Sequence, residues 1–167
     1  MHTNKMTSRR LQIGVVGFSR PHFDHDAAAA LLADALDRVL ARRGVAPTDA
    51  DLVSGLTDAG VPRLAYQRAV ALGMRTVGLS ARAALRARSG RWPVDEVVLV
   101  GARFGDESAA FVARLDELIR IGGGPQSRRE VELFRAELTR RGLDPDAHLI
   151  EHEVAWHEPG PAARRRR

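Results

Sequence analysis

The chain has 167 residues, a length that suits one domain with a buried core and is short for two. It contains no cysteine, which excludes disulfides and thiolate zinc sites. No apolar run approaches the roughly 20 residues of a membrane span, and the first ten residues lack the apolar core of a signal peptide. The composition predicts a cytoplasmic α/β protein without a membrane segment.

The formal net charge of +5 is concentrated at one end of the chain. Four of the positive charges belong to Arg164–Arg167, so the rest of the chain is close to neutral, with mixed signs. This pattern argues against a nucleic-acid partner, except through the arginine tail. We predict disordered segments at 1–9 and 158–167 around one domain at 10–157.

The first predicted elements are a strand and a helix. Leu11–Gly17, "LQIGVVG", is a short apolar run that ends in glycine, which is typical of a buried parallel strand. From Asp24 to about Arg43 apolar residues recur at helical spacing, with Asp24 as the N-cap and Gly44 as the stop.

The same alternation continues to the end of the chain. It predicts strands in 51–60, 74–80 and 94–102 and in the run before the triple glycine, helices at 61–73, at about 107–113 and from about Ser127 to Arg141, and an edge strand in 148–156. Strands and helices that alternate through short loops predict a Rossmann-like domain, with a mostly parallel sheet and helices on both faces.

Three glycine-bearing loops follow predicted strands, at the sheet edge where open parallel sheets bind ligands. They are "GFSR" (17–20), "SGLTDAG" (54–60) and "GGGPQSRRE" (122–130). The predicted ligand- or phosphate-binding residues are Gly17, Ser19, Arg20, Gly55, Thr57, Gly60, Gly122, Gly123, Gly124 and Ser127.

The third loop carries the most specific signal. Its glycines let the backbone approach an anion, and Ser127 can cap the next helix while offering its hydroxyl to a phosphate. Glu130 then lies one turn inside the helix, where its carboxylate can reach a ribose hydroxyl or a developing positive charge. The alternative is a capping box, because Ser127 and Glu130 form S-x-x-E.

Other charged clusters have ordinary explanations. "HFDHD" at 22–26 looks like a metal cluster but suits a loop that feeds a helix N-terminus, and His148 and His152 suit an edge strand. The arginine-rich stretch 81–92 is a further candidate helix, and its Arg82, Arg86 and Arg88 form either a basic lid or a solvated surface. We assign no metal and no cofactor.

Together the three loops resemble the LOG-like (lysine decarboxylase-like, SLOG) superfamily over about residues 10–141. "VVGFSR" looks like its opening strand and loop, "LVSGLTDAGVPRLAYQRAVALGMRTVGLS" is similar to its GGGxxGLMG segment, and "GGGPQSRRE" is similar to its PGGxGTxxE signature. Gly122 stands in place of the signature proline and Gln126 in place of its third glycine. The family's M-H-x-R-K segment has no counterpart, since "FGDES" (104–108) occupies its place.

The resemblance implies a nucleotide-binding homodimer. Its enzymatic members remove the base from nucleoside 5'-monophosphates, which would make Glu130 the catalytic acidic residue and Arg103 a substitute cation. The sequence therefore predicts binding of a nucleotide or nucleotide-derived metabolite, with its phosphate on the Gly122–Ser127 loop. A phosphoribohydrolase is the first alternative, and an interaction protein with a partner-binding arginine tail is the second.

Overall fold

The computed structural model describes residues 9–158, which contain six strands and four α-helices. The strands are β1 (Leu11–Gly17), β2 (Ala50–Ser54), β3 (Arg75–Ser80), β4 (Glu96–Leu99), β5 (Glu117–Ile121) and β6 (Leu149–His152). The helices are α1 (His25–Arg43), α2 (Gly60–Leu72), α3 (Ser108–Arg114) and α4 (Pro125–Arg140), with 3-10 turns at Pro47–Asp49, Arg82–Arg86 and Pro145–Ala147. Apart from Arg9 and Glu158, the two segments predicted to be disordered lie outside the described residues.

All six strands are parallel and lie in the order β4-β3-β2-β1-β5-β6, which confirms the predicted Rossmann-like α/β class. From β1 the chain adds strands outward to β4 and then returns to place β5 on the other side of β1. The connections that leave β1 and β5 therefore run in opposite directions. Such a reversal opens a crevice at the carboxyl ends of the two strands.

Two apolar cores, one on each face of the sheet, hold the helices. The core under α1 and α2 includes the fully buried Tyr66, and the core under α3 and α4 includes the fully buried Phe134. Local signals delimit α1 as predicted, because the Asp24 carboxylate accepts from the Ala27 N–H at 3.0 Å and Gly44 adopts a φ of 63°. Across residues 9–158, no helix has the length and apolar character needed to cross a bilayer.

Three elements differ from the sequence prediction. The helix expected from about Ser127 begins at Pro125, with Gly124 as its N-cap. The last strand ends at His152, so the chain leaves the sheet before Trp156, which forms an antiparallel bridge with Phe23. The 81–92 segment contains only a 3-10 turn of five residues.

Candidate functional site

Two adjoining cavities open at the carboxyl ends of β1 and β5. The larger, about 680 Å³, extends towards β2, β3 and α3, and we call it the acidic cavity. The smaller, about 400 Å³, lies against the chain around Trp156, and we call it the aromatic cavity. Five residues line both and form a shared wall: Gly17, Ser19, Arg20, Gln126 and Ser127.

The first turn of α4 supplies amide donors to the shared wall. Pro125 occupies the first helical position and has no N–H, and the first hydrogen bond into the helix runs from Arg128 N–H to the Gly124 carbonyl at 3.3 Å. Within residues 9–158 the N–H groups of Gln126 and Ser127 have no acceptor. Unpaired amides at the positive end of a helix dipole attract an anion.

The glycine bend itself contributes fewer donors than the sequence suggested. Gly122 and Gly123 adopt φ values of 57° and 105°, a region that favours glycine. The Gly122 N–H donates to the His152 carbonyl at 2.7 Å, so this amide is satisfied within the protein. The Gly122 carbonyl accepts from the buried Arg120 guanidinium at 2.8 Å. Of the amides in the glycine bend, that of Gly122 is therefore not available to an anion.

Ser127 ties α4 to the end of β1 instead of capping its own helix. Its hydroxyl donates to the Gly17 carbonyl at 3.1 Å, and no reciprocal bond with Glu130 forms a capping box among the described residues. A Cβ on Gly17 would lie 2.2 Å from the Ile121 carbonyl oxygen, so only glycine permits this approach of β1 to β5. Tertiary contact, rather than local helix initiation, fixes the serine.

Arginines at the rim of the cavities have no protein partner. Arg20 lines both cavities and Arg88 lines the acidic one, and both are exposed. Neither forms an ion pair or side-chain hydrogen bond with any of residues 9–158. Arg88 lies in the arginine-rich segment that was interpreted as either a basic lid or a solvated surface. The positive charge at the mouth of the cleft is thus free to meet an anionic ligand.

The acidic cavity is named for two buried carboxyl groups, Glu130 and Glu107, exposed by 7% and 4%. Glu130 accepts from the Ser108 hydroxyl at 3.2 Å and the Gln126 side-chain amide at 3.3 Å, and the same amide donates to Glu107 at 3.1 Å. Burial raises the pKa of Glu130 to about 7, and the neighbouring Glu107 charge adds to this effect. The sequence prediction missed Glu107, because nothing local indicates that the loop carboxylate is buried.

The remaining predicted residues divide into those that line a cavity and those that shape it. Gly55 and Thr57 line the acidic cavity, and Gly124 lines the aromatic one. The positive-φ residues Gly60, Gly122 and Gly123 line neither cavity and instead form the turns behind them.

Arg103, the predicted substitute cation, lies apart from both cavities. It belongs to an exposed turn after β4, in which its backbone N–H donates to the Asp106 carboxylate at 3.0 Å. Its side chain lines neither cavity. The catalytic roles predicted for Glu130 and Arg103 stay predictions.

The aromatic cavity is walled by Phe18, Pro125 and Trp156 in addition to the shared wall. The ring centroids of Phe18 and Trp156 lie 5.1 Å apart, and His22 meets Trp156 edge-on at 5.7 Å. Trp156 belongs to the predicted edge strand 148–156, and the sequence did not indicate this cavity. The feature that could have indicated the cavity is Trp156 itself, because only eight of the 167 residues are Phe, Trp or Tyr.

Residues of the two histidine-containing clusters, 22–26 and 148–152, have structural roles. Asp24 caps α1, and His148 contacts the buried Glu117 carboxylate at 3.2 Å. Among the described residues, no group of three or more His, Asp or Glu side chains has an arrangement that could hold a metal ion.

Comparison with known proteins gives matches in structure only. No protein family model and no curated protein matches the sequence. The molybdenum cofactor carrier protein from Chlamydomonas reinhardtii matches with a TM-score of 0.57 and 19% identity, over 86% of this chain and 89% of that one. The molybdenum cofactor binding protein from Rippkaea orientalis matches with a TM-score of 0.58 and 19% identity, over 88% and 91%.

A structural-genomics target named TM1055 matches with a TM-score of 0.57 and 22% identity, over 88% of this chain and 93% of that chain. At these identities the likeness establishes the fold alone. The shared fold is consistent with the LOG-like resemblance, which stays a prediction, as do the homodimer and the cytoplasmic location. The comparisons thus identify the chain as a single Rossmann-like α/β domain.

Proposed function

We propose that the protein binds a phosphorylated, nucleotide-like small molecule in the cleft at the carboxyl ends of β1 and β5, with its phosphate on the shared wall. One observation carries the proposal: the N–H groups of Gln126 and Ser127 have no acceptor among residues 9–158 and lie where α4 begins at the topological switch point. The unpaired Arg20 guanidinium lines the same wall.

The chemistry of the cleft suits binding more than it suits a particular reaction. A phosphate needs only donors and positive charge at one place, which the start of α4 and Arg20 provide. Two of the structural neighbours are described as carrying or binding the molybdenum cofactor. That cofactor therefore belongs in a ligand panel beside the nucleoside monophosphates.

A substitution at Gly124 tests the phosphate position. A Cβ at this N-cap position meets no atom within 4 Å, and its φ of −93° is open to any residue. In Gly124→Asp, the new carboxylate can accept from the amides that would otherwise hold the phosphate. We expect the free energy of unfolding to rise by about a few tenths of a kcal/mol, while ligand affinity falls at least about tenfold.

The measurement is thermal shift with AMP, CMP, GMP, IMP, inorganic phosphate and the molybdenum cofactor, since a ligand at 100 times its Kd adds roughly 2.7 kcal/mol. Gly124→Ala is the matched control and should bind like the wild type. Because the aspartate variant is expected to be at least as stable as the wild type, loss of binding cannot be attributed to unfolding. Undiminished binding in Gly124→Asp, or no shift with any ligand, contradicts the proposal.

A phosphoribohydrolase is the second candidate, and the raised pKa of Glu130 favours it. A carboxyl group with a pKa of about 7 can donate or accept a proton at neutral pH. Stabilising an oxocarbenium ion, however, requires the charged carboxylate, and burial beside Glu107 opposes that form. Chromatography of AMP, CMP and IMP after incubation distinguishes the candidates: free base released by the wild type and not by Glu130→Gln supports the hydrolase.

A further inference from the structure

The shared wall lies between two cavities, and each has the volume of a complete small-molecule site. Ligand pockets in proteins enclose roughly 300–1,000 Å³. The acidic cavity measures about 680 Å³ and the aromatic cavity about 400 Å³. A mononucleotide with its phosphate on the shared wall extends into only one of them. The other has room for a second group on the far side of the phosphate.

Each cavity also has one exposed aromatic ring. Among the exposed large apolar side chains of residues 9–158, two are aromatic: Phe104, which is 53% exposed, and Trp156, which is 40% exposed. Phe104 lines the acidic cavity and Trp156 lines the aromatic one. The exposed aliphatic side chains line neither. An exposed ring beside a cavity offers a stacking surface to a planar group.

Trp156 is held in place before any ligand arrives. Its backbone forms an antiparallel bridge with Phe23, and the next N–H, from His157, donates to the His22 carbonyl at 2.8 Å. Its ring packs against Phe18 with centroids 5.1 Å apart. A ring already fixed by its neighbours loses little conformational entropy on stacking.

The anion-binding groups belong to the wall that both cavities share, and each ring belongs to one cavity alone. Arg20, Gln126 and Ser127 line both cavities, whereas Phe104 lines only the acidic cavity and Trp156 only the aromatic one. We infer that the ligand is of the dinucleotide type: a diphosphate on the shared wall joins one planar group beside Phe104 to a second planar group beside Trp156. The inference rests on the proposed function, because the diphosphate occupies the proposed phosphate site.

Calorimetric titration of the full chain with diadenosine diphosphate and with AMP tests the inference. We expect the two-ring probe to bind about tenfold or more tightly than AMP, because the second base adds a stacking contact. Trp156→Ala should remove that advantage, so that the two-ring probe binds no more tightly than AMP, whereas Trp156→Phe should keep most of it. A cooperative thermal unfolding transition in the absence of ligand shows that the alanine variant is folded.

A spectroscopic readout locates the second ring independently. In Trp92→Phe, Trp156 is the single remaining tryptophan. Diadenosine diphosphate should quench its fluorescence more strongly than AMP does. Equal affinity for the two probes overturns the inference and leaves the proposed function standing, as does a Trp156→Ala variant that loses AMP binding equally. If neither probe binds but another ligand of the thermal-shift panel does, the inference fails alone; if no ligand of that panel and no inorganic pyrophosphate binds either, the proposed function fails with it.

Discussion

Buried carboxyl groups at the two ends of the sheet differ in whether arginines pair with them. At the amino ends of the strands, Asp51 and Glu117 are each 1% exposed and surrounded by arginines. Asp51 pairs with Arg10 and Arg75, and Glu117 pairs with Arg42 and Arg43. At the carboxyl ends, Glu107 and Glu130 are nearly as buried, and no described arginine or lysine forms an ion pair with either.

The difference distinguishes a structural ionic network from the carboxyl groups of the candidate site. Burial raises the pKa of Asp51, but hydrogen bonds from Gln12 and Arg10, together with the charges of Arg10 and Arg75, hold it below its ordinary value. At Glu130, burial dominates and the pKa rises to about 7. The amino ends thus hold a satisfied ionic network, whereas the carboxyl ends retain a carboxyl group whose charge the protein leaves uncompensated, as ligand sites often do.

The largest effect should follow from breaking the network at the amino ends. Asp51→Ala leaves Arg10, Arg75 and Gln12 without their buried acceptor, so we expect a loss of about 3–5 kcal/mol in the free energy of unfolding by urea titration. Asp34→Ala, at an exposed ion pair on α1, is the matched control and should change it by less than about 0.5 kcal/mol. If Asp51→Ala and Asp34→Ala lowered the free energy of unfolding by similar amounts, the ionic network at the amino ends would not be a special source of stability.

At the carboxyl ends, replacing a buried carboxyl group should stabilise the protein instead of destabilising it. Below pH 4.5 both the folded and unfolded states hold the Glu130 proton; between 4.5 and about 7 only the folded state does, so stability falls as the pH rises. Glu130→Gln removes this loss and should stabilise the protein by up to about 3 kcal/mol at pH 8, with little effect at pH 4.5.

Urea titrations of both proteins from pH 4.5 to 8 measure the difference. Glu132→Gln, at an exposed position of the same helix, should show no such pH dependence. If Glu130→Gln is less stable than the wild type at pH 8, Glu130 is held in its charged form and the comparison fails.

The smallest expected effect concerns the amide that bridges the two carboxyl groups. Gln126→Ala removes donors to Glu107 and Glu130, so we expect a loss of about 1 kcal/mol at pH 8 and less at pH 5, where Glu130 is protonated. Combined with Glu130→Gln, the substitution should cost less than it does alone. Additive effects in this double-mutant cycle would show that Gln126 does not couple to Glu130.

Local signals predicted most of the fold. The strand Leu11–Gly17 was placed correctly because its apolar run ends in glycine, and α1 was placed correctly because Asp24 and Gly44 act within one turn of its ends. The start of α4 was misplaced because Ser127 looks like an N-cap, whereas its hydroxyl bonds to Gly17, 110 residues away. A tertiary contact of this kind has no counterpart in a short sequence window.

The site was predicted less completely than the fold. Strands that alternate with helices are parallel, and their carboxyl ends share one edge of the sheet. Three loops at that edge could therefore be identified, and Gly17, Ser19, Arg20 and Ser127 do line one cleft. Glu107 was missed because burial depends on packing against α4. Gln126, which differs from the signature of the superfamily that the sequence resembles, was not expected to bridge two carboxyl groups.

The position of β1 in the middle of the sheet also bears on how the protein is made. Ile13 pairs with Glu117, and the Asp24 N–H donates to the Ala155 carbonyl, so the earliest part of the domain is completed by the latest. During translation β1 is synthesised first and lacks its β5 neighbour until most of the chain has emerged. A stalled ribosome that displays only residues 1–100 therefore carries a chain that lacks β5 and α4, and with them the candidate cleft.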